Sequence, residues 1–188
     1  MIIPGGSGFL GLYLARYMAA QDWEVVILSR SERKSENPNI RYVQWDGKTL
    51  GAWQKEFEGA EAVVNMAGRT VNCRYNEENK RQILESRVDS TKVLGAAIAA
   101  CAQTPKVWIN SSTATIYKDT RGDLPANDEY NGELGSDFSM NVAKAWEKTF
   151  NEANVPNVRK IALRTAIVLG KGGGAIEPIL NLVMAGLG

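Results

Sequence analysis

The stretch Gly5-Gly6-Ser7-Gly8-Phe9-Leu10-Gly11 carries the firmest chemical signal in the chain. It satisfies two spacings together: Gly6, Gly8 and Gly11 give G-x-G-x-x-G, and Gly5, Gly8 and Gly11 give G-x-x-G-x-x-G. Glycines at these positions suit a loop that wraps the pyrophosphate of a dinucleotide. One makes the tight turn from strand to helix, one lets the backbone approach the phosphates with no Cβ in the way, and one lets the helix pack on the strand. The helix that opens here offers free N–H groups and a partial positive charge to the phosphates. The setting strengthens the motif, because an apolar strand precedes it and an amphipathic helix and a second strand follow. A glycine-rich turn with no ligand is the bland alternative. Pro4 is unusual at a strand end, since it has no backbone N–H to donate.

A second pair of residues bears on which nicotinamide cofactor such a loop would hold. When the cofactor is NAD, an acidic residue usually closes the second strand and bonds the adenosine ribose. Here Val25-Val26-Ile27-Leu28 runs into Ser29-Arg30, with Arg33 and Lys34 following. An arginine at that point can pair with the 2′-phosphate of NADP through charge-assisted bonds. The expectation is therefore NADP(H) over NAD(H), the alternative being that Arg30 is a solvated loop cation.

The elements that must position these residues follow from periodicity. Apolar runs predict strands at 1–3, 24–28, 40–45, 62–66, 106–111 and 159–168. Helical patterns occupy 9–21, 52–58, 76–102 and 138–153. Short apolar strands alternating with helices predict an α/β fold, a doubly wound parallel sheet of Rossmann type in three α/β/α layers, covered on both faces. The longest helix places Leu84, Val88, Thr91, Gly95, Ile98 and Ala102 on one stripe. Residues 118–137 are polar, with Pro125 as their only proline, and read as a long loop of the kind that is often functional. The first strand is short and the last apolar helix stops at Gly188. We therefore expect one dinucleotide-binding domain over 1–188, the N-terminal part of something longer and lacking a C-terminal substrate-binding part.

Composition narrows the chemistry. The chain has 188 residues, 44% hydrophobic and 23% charged, as an ordinary globular domain has. A net charge of +1 and the absence of a basic aromatic face disfavour nucleic acid and anionic membranes as partners. The chain contains no histidine, which removes His-based triads, His metal sites and His general bases; no metal site is expected. Cys73 and Cys101 have no metal-binding spacing, and Cys101, among alanines, reads as a small core residue. No apolar run approaches the ~20 residues needed to span a membrane. The glycine loop begins too early for a signal peptide, so a reducing cytoplasm is expected.

Two further stretches, Asn65-Met66-Ala67-Gly68 and Ser111-Ser112-Thr113-Ala114-Thr115-Ile116-Tyr117, together with the glycine loop, resemble the extended short-chain dehydrogenase/reductase superfamily. Ser86-Arg87-Val88-Asp89-Ser90-Thr91, the segment from Phe138 to Trp146-Glu147, and Leu163-Arg164-Thr165-Ala166-Ile167-Val168-Leu169-Gly170 with Gly172-Gly173-Gly174-Ala175 narrow the likeness to an atypical subgroup. Its members are called NAD(P)-dependent epimerase/dehydratase or sugar-nucleotide epimerase proteins. The resemblance covers almost the whole chain. It implies that Gly5, Gly8, Phe9, Leu10 and Gly11 line the phosphates and that Ser29 and Arg30 hold the adenosine end. It also sets Asp46 near adenine, has Asn65, Ala67 and Gly68 border the nicotinamide ribose, and implies helices of the kind that often pair into homodimers.

The superfamily's reaction uses a Ser or Thr, a Tyr, and a Lys four residues after the Tyr, exchanging a proton with a substrate hydroxyl as hydride passes to or from the nicotinamide. The matching Ser/Thr is Ser112 or Thr113, a register ambiguous by one. Lys144 stands on the expected helix, but four residues before it is Met140, which cannot transfer a proton. Phe138, Val142, Trp146 and Phe150 form an apolar stripe on that helix, which sets Met140 and Lys144 on roughly the opposite side, facing either the cofactor cleft or water. Tyr117 and Tyr130 are the nearby loop phenols; Tyr117 either substitutes for the missing tyrosine or packs at the strand end. Two functions are therefore carried forward. One is an NADP(H)-dependent oxidoreductase or epimerase acting on a hydroxyl or carbonyl of a small, sugar-like or nucleotide-linked substrate. The other is a non-catalytic NADP(H)-binding sensor or structural protein.

Overall fold

The computed structural model describes residues 1–122, 125–170, 172–174 and 176–187. Residues 123 and 124 of the expected long loop, Ala175 of the expected glycine motif, residue 171 and the terminal Gly188 lie outside the described residues.

Six strands build one parallel sheet: β1 (Ile2–Pro4), β2 (Val25–Ser29), β3 (Ile40–Gln44), β4 (Ala62–Asn65), β5 (Val107–Thr113) and β6 (Arg159–Thr165). Their spatial order is β3-β2-β1-β4-β5-β6, with Ile3 opposite Ile27, Ile27 opposite Tyr42, and Val63 opposite Trp108. This is the doubly wound Rossmann order, and the direction of winding reverses between β1 and β4. Alternation along the strands sorts the core into two layers. Ile2, Val26, Leu28, Val63 and Trp108 face α2 (Glu77–Ala99) and α3 (Phe138–Glu152), meeting Leu94, Ala97, Ile98 and Phe150. Ile3, Val25 and Ile27 face α1 (Phe9–Ala19) through Ala15 and Ala19. Each fully buried Leu, Ile or Phe in these layers contributes about 1.5–3 kcal/mol.

Several expected elements shift. The 52–58 segment is a 3₁₀ turn, Ala52–Phe57, whose Trp53 and Phe57 are buried against Trp45. On α2 the buried residues include Ile83, Ser90, Thr91, Leu94, Ala97 and Ile98, while Leu84 and Val88 are only half-buried. The core stripe therefore begins at Ile83 rather than Leu84. Asn76 caps this helix, its Oδ1 accepting from the Asn79 N–H at 2.8 Å. The last sheet strand stops at Thr165, not Val168. The chain then turns into a small antiparallel hairpin, β7 (Leu169–Gly170) with β8 (Gly173–Gly174), which lies against the Phe9 ring. α4 (Ile176–Met184) follows and buries none of its residues. Coverage on both sheet faces holds for β1 and β2, whereas no residue of β6 is buried.

The base of the 118–137 loop is closed by backbone bonds, from the Lys118 N–H to the Glu133 carbonyl at 2.7 Å and from the Gly135 N–H to the Ile116 carbonyl at 3.0 Å. Both cysteines are free. Among the described residues no helix is long and apolar enough to cross a membrane.

Candidate functional site

The carboxyl ends of β1, β2, β3 and β4 meet at the winding reversal, where open α/β sheets bind their ligands. A cavity of about 300 Å³ lies there, lined by Gly5, Ser7, Gly8, Ser29, Arg30, Asp46, Ala67 and Gly68 among others. The glycines do separate jobs. Gly5 has φ +73°, and a Cβ on it would lie 2.6 Å from the Ala67 Cα, so the turn out of β1 requires glycine. A Cβ on Gly11 would lie 2.4 Å from the Gly6 Cα, so α1 packs on the loop only with glycine there. Gly8 differs: it has ordinary backbone angles, φ −84° and ψ 177°, and its Cβ would meet only the Gly5 carbonyl oxygen, at 3.9 Å. The fold does not need glycine at position 8; a ligand in the cavity would. Gly8 is also the N-cap of α1 and no side chain caps it. The first intrahelical bond runs from the Leu12 N–H to the Gly8 carbonyl, which leaves the Phe9, Leu10 and Gly11 N–H groups outside the helical ladder. An uncapped helix start under a loop with room for phosphate fits a dinucleotide pyrophosphate.

The structure sharpens the parts assigned to the other predicted residues. The Phe9 side chain packs under the β7–β8 hairpin and edge-on to Tyr13, so only its backbone faces the phosphate position. Pro4 is accommodated because its carbonyl accepts from the Met66 N–H at 2.8 Å, while the next donor, the Gly5 N–H, reaches the Leu28 carbonyl at 3.0 Å. Ser29 is buried at the end of β2, and Arg30 lines the cavity mouth with no hydrogen-bond or ion-pair partner for its guanidinium among the described residues. The Asp46 carboxylate is occupied by its own turn. It accepts from the Thr49 hydroxyl and from the Thr49 and Lys48 N–H groups, and these bonds, the hydroxyl first, draw its pKa down to about 2. Asn65 is fully buried and lines neither this cavity nor the next. Its Nδ2 donates to Asn110 Oδ1 at 2.7 Å and to Thr91 Oγ1 at 3.2 Å, and its Oδ1 accepts from the Ala67 N–H at 3.0 Å. It therefore acts through Ala67, whose turn it holds.

A second cavity, about 630 Å³, adjoins the first across Met66, Ala67, Gly68 and Arg69. Ser111, Ser112 and Thr113 line it from the end of β5, and Ser139, Val142, Ala143 and Trp146 line it from α3. The candidate catalytic residues divide here: Ser112 and Thr113 line this cavity, and Lys144 and Tyr117 do not. Lys144 does not reach this cavity: its Nζ donates to the Gly135 carbonyl at 2.8 Å, and Met140 packs beside the same glycine. The pairs at four-residue spacing that line the cavity are Phe138 and Val142, Ser139 and Ala143, and Val142 and Trp146, because the Phe138–Val142–Trp146 stripe itself turns toward the cavity. Tyr117 does not line it either. Its hydroxyl accepts from Arg164 Nη1 at 2.6 Å and its ring lies beneath that guanidinium. Ser112 is buried and donates to Glu147 Oε1 at 2.5 Å, while Arg164 grips the same carboxylate with Nε at 2.9 Å and Nη2 at 2.8 Å. Burial alone would raise the Glu147 pKa; the bonds from Arg164 and Ser112 outweigh it and hold the carboxyl below its ordinary value. The same pairing raises Arg164. Thr113 caps the short turn that follows β5, its Oγ1 accepting from the Thr115 N–H at 3.1 Å.

A family model of the NAD dependent epimerase/dehydratase family matches residues 1–172. The chain belongs to that family. The epimerase family protein YfhF of Bacillus subtilis is 31% identical over 176 residues, covering 91% of this chain and 55% of YfhF. The crystal structure of the human epimerase family protein SDR39U1 with NADPH superposes with a TM-score of 0.83 at 29% identity, over 100% of this chain and 60% of that one. A nucleoside-diphosphate sugar epimerase from Corynebacterium glutamicum superposes at 0.77 with 30% identity, over 98% of this chain and 37% of that one. The chain thus spans little more than half the length of YfhF and SDR39U1.

Within this epimerase/dehydratase domain, sequence reasoning passes over four charged residues, Arg69 and Arg87 lining the second cavity and Glu147 and Arg164 behind Ser112. Glu147 and Arg164 carry a detectable signal: Glu147 follows Trp146 on the buried face of α3, and Arg164 follows the apolar run Ile161-Ala162-Leu163. Arg69 and Arg87 were hidden by the α2 register. With the stripe beginning at Ile83, Arg87 falls one turn along the buried face, where an unpaired cation is unexpected.

Proposed function

We propose that this protein binds NADP(H) in the first cavity and is an oxidoreductase or epimerase acting on a hydroxyl or carbonyl of a sugar-like substrate in the second, in a cytoplasmic setting. The observation that carries the reading is Gly8, a glycine that the fold does not require, set at an uncapped helix start on the wall of the first cavity. Gly5, Gly8 and the free N–H groups of Phe9, Leu10 and Gly11 would take the pyrophosphate, and Ser29 and Arg30 the adenosine end. A nicotinamide bound there would supply hydride chemistry. What this chain's residues supply beside it is hydroxyl groups: Ser111 and Thr113 line the second cavity, while the Ser112 proton is directed at Glu147. Preference for the phosphorylated cofactor rests on Arg30, whose guanidinium is free at the cavity mouth, and is in keeping with the NADPH bound by SDR39U1.

A second reading, a cofactor-binding protein without turnover, is favoured by one specific observation. The α3 residues lining the second cavity at the four-residue spacing of a Tyr–Lys pair are Phe138, Ser139, Val142, Ala143 and Trp146, which supply neither a phenol nor an ammonium group. Fluorescence titration of NADPH and NADH against the protein and its Arg30→Ala variant tests the cofactor assignment. NADPH affinity is expected to fall about tenfold at low salt with NADH affinity unchanged; equal loss for both, or none, counts against it. Absorbance monitoring of NADPH against sugar nucleotides and simple carbonyl compounds then separates the two readings, since turnover on any of them removes the second.

A further inference from the structure

Arg69 and Arg87 both line the second cavity, and among the described residues no aspartate or glutamate lines it with them. Neither arginine makes an ion pair among the described residues. Arg87 is held firmly all the same. Its Nη1 donates to the Ile83 carbonyl at 2.9 Å and the Arg69 carbonyl at 3.1 Å, and its guanidinium lies over the Trp146 ring, 5.3 Å from the centroid. Gly68 makes room for it: a Cβ there would lie 3.1 Å from Arg87 Cζ. Arg69 is positioned by its Nη2, which donates to Asn79 Oδ1 at 2.7 Å, and by its backbone N–H, which donates to Ser86 Oγ at 2.9 Å; its buried Nε has no acceptor. Asn79 is itself anchored, donating to the Arg74 carbonyl at 2.7 Å.

Two cations withdrawn from water without a carboxylate are costly unless an anion answers them. Carbonyl bonds and ring stacking fix the plane of Arg87 while leaving its charge unneutralised, which is how a receptor for a planar or tetrahedral oxyanion is preorganised. We propose that Arg69 and Arg87 form an anion subsite of the second cavity, which takes a carboxylate or phosphate group of the substrate. This deepens the function proposed above and rests on it, because the second cavity is the substrate side only if the first holds the cofactor. Burial also pushes the Arg87 pKa down, in the direction expected of a cation lacking its counter-charge.

The test uses Arg87→Gln, with Arg87→Lys as the charge-retaining control and thermal melting to establish folding. Inorganic phosphate and malonate are titrated separately against protein saturated with NADPH, and binding is read from the arginine Nε–H resonances and from Trp146 fluorescence, the latter by difference against Trp146→Phe. One of the two anions is expected to bind, which also distinguishes phosphate from carboxylate. Its affinity should fall at least about tenfold in Arg87→Gln and recover in part in Arg87→Lys, while NADPH affinity stays within about twofold. Failure of both anions to perturb either signal overturns the inference, as does equal anion affinity in Arg87→Gln. A parallel loss of NADPH affinity in Arg87→Gln would assign the arginines to the cofactor and also overturns it, yet leaves the cofactor reading standing. Absence of NADPH binding in the unsubstituted protein instead removes the proposed function, and the anion titrations are then scored without cofactor. If Arg87→Gln fails to fold, Asn79→Asp, which sets a carboxylate against Arg69 from outside both cavities, is measured in its place, with the same fall in anion affinity and the same unchanged NADPH affinity expected.

Discussion

Gly8 and Gly11 stand three residues apart in one loop, and the structure predicts opposite consequences for the same substitution. In Gly8→Ala the new methyl finds its nearest neighbour at 3.9 Å and inherits backbone angles open to any residue. Reduced freedom of the unfolded chain contributes about 0.4–1 kcal/mol of stability. Loss of the better N-cap residue costs a few tenths to about 1 kcal/mol. The two nearly cancel, so folding stability should change by less than about 1 kcal/mol. The methyl nevertheless enters the cavity at the helix start and holds a phosphate away from the free N–H groups of Phe9 and Leu10. Two charged hydrogen bonds at about 1.5 kcal/mol each amount to about 3 kcal/mol, or roughly a hundredfold in affinity. Gly11→Ala places its methyl 2.4 Å from the Gly6 Cα and should cost about 1–3 kcal/mol or more of stability through overpacking. Urea denaturation and NADPH titration on both variants separate the effects. NADPH binding by Gly8→Ala within threefold of the parent, or its unfolding well below the parent, would refute the view that position 8 is glycine for the sake of a ligand.

Other substitutions probe the scaffold around the cavities. Glu147→Gln leaves Arg164 half-satisfied in a mostly buried pair and should cost about 2–3 kcal/mol in urea denaturation at neutral pH. Because the folded Glu147 pKa is depressed, its contribution is present above the unfolded carboxyl value of 4.5 and is lost as pH falls through the lower folded value. The gap between parent and variant should therefore narrow in acid; a gap that widens below about pH 4 would contradict the pairing. Asn65→Ala strands the Ala67 N–H and removes two bonds to neighbouring elements, with an expected loss of about 2–4 kcal/mol read from thermal or urea unfolding. Lys144→Ala should leave NADPH affinity within about twofold and cost no more than about 1 kcal/mol, since its ammonium serves the Gly135 carbonyl. A tenfold loss of NADPH affinity would return Lys144 to the cofactor.

The parts of the fold legible in the sequence are those governed by local rules. Short apolar strands, a glycine loop with one dominant spacing, and Arg30 in place of an acid at the end of β2 each depend on neighbours in sequence, and the first cavity was readable from them. The second cavity depends on helix rotation, which sequence spacing leaves open by one residue in either direction. That small slip moved the core stripe of α2 from Ile83 to Leu84 and concealed Arg87. On α3 the spacing shows the apolar stripe, but an apolar stripe can face either a core or an apolar cavity wall, so the sequence leaves Lys144 eligible for the site. Tertiary partners also decided which polar groups are spent on structure. Ser112, Asn65 and Tyr117 have the residue types a site needs, yet each is bound by a partner at least 26 positions away.

Those spent groups set a condition on any chemistry in the second cavity. The Ser112 proton is committed to a carboxylate held ionised by Arg164, and the Tyr117 oxygen already accepts from the same arginine. To free the Ser112 hydroxyl, the Glu147–Arg164 pair must be disturbed, at the cost of a buried charge without its partner, and the Tyr117 phenol lies outside the cavity. A proton for a reacting hydroxyl or carbonyl is therefore drawn more cheaply from groups lining the cavity that carry no such commitment. Ser111, Ser139 and Tyr75 meet that condition, from the end of β5, the first turn of α3 and the loop before α2. A serine hydroxyl ionises far above neutrality, so neither serine can act as a strong general acid or base alone. On the proposed reading, placement of the substrate against the nicotinamide and the field of Arg69 and Arg87 on developing negative charge would both contribute to the rate. The anion subsite and turnover would then be linked, because an anionic substrate would be oriented by the same two cations that stabilise its reaction.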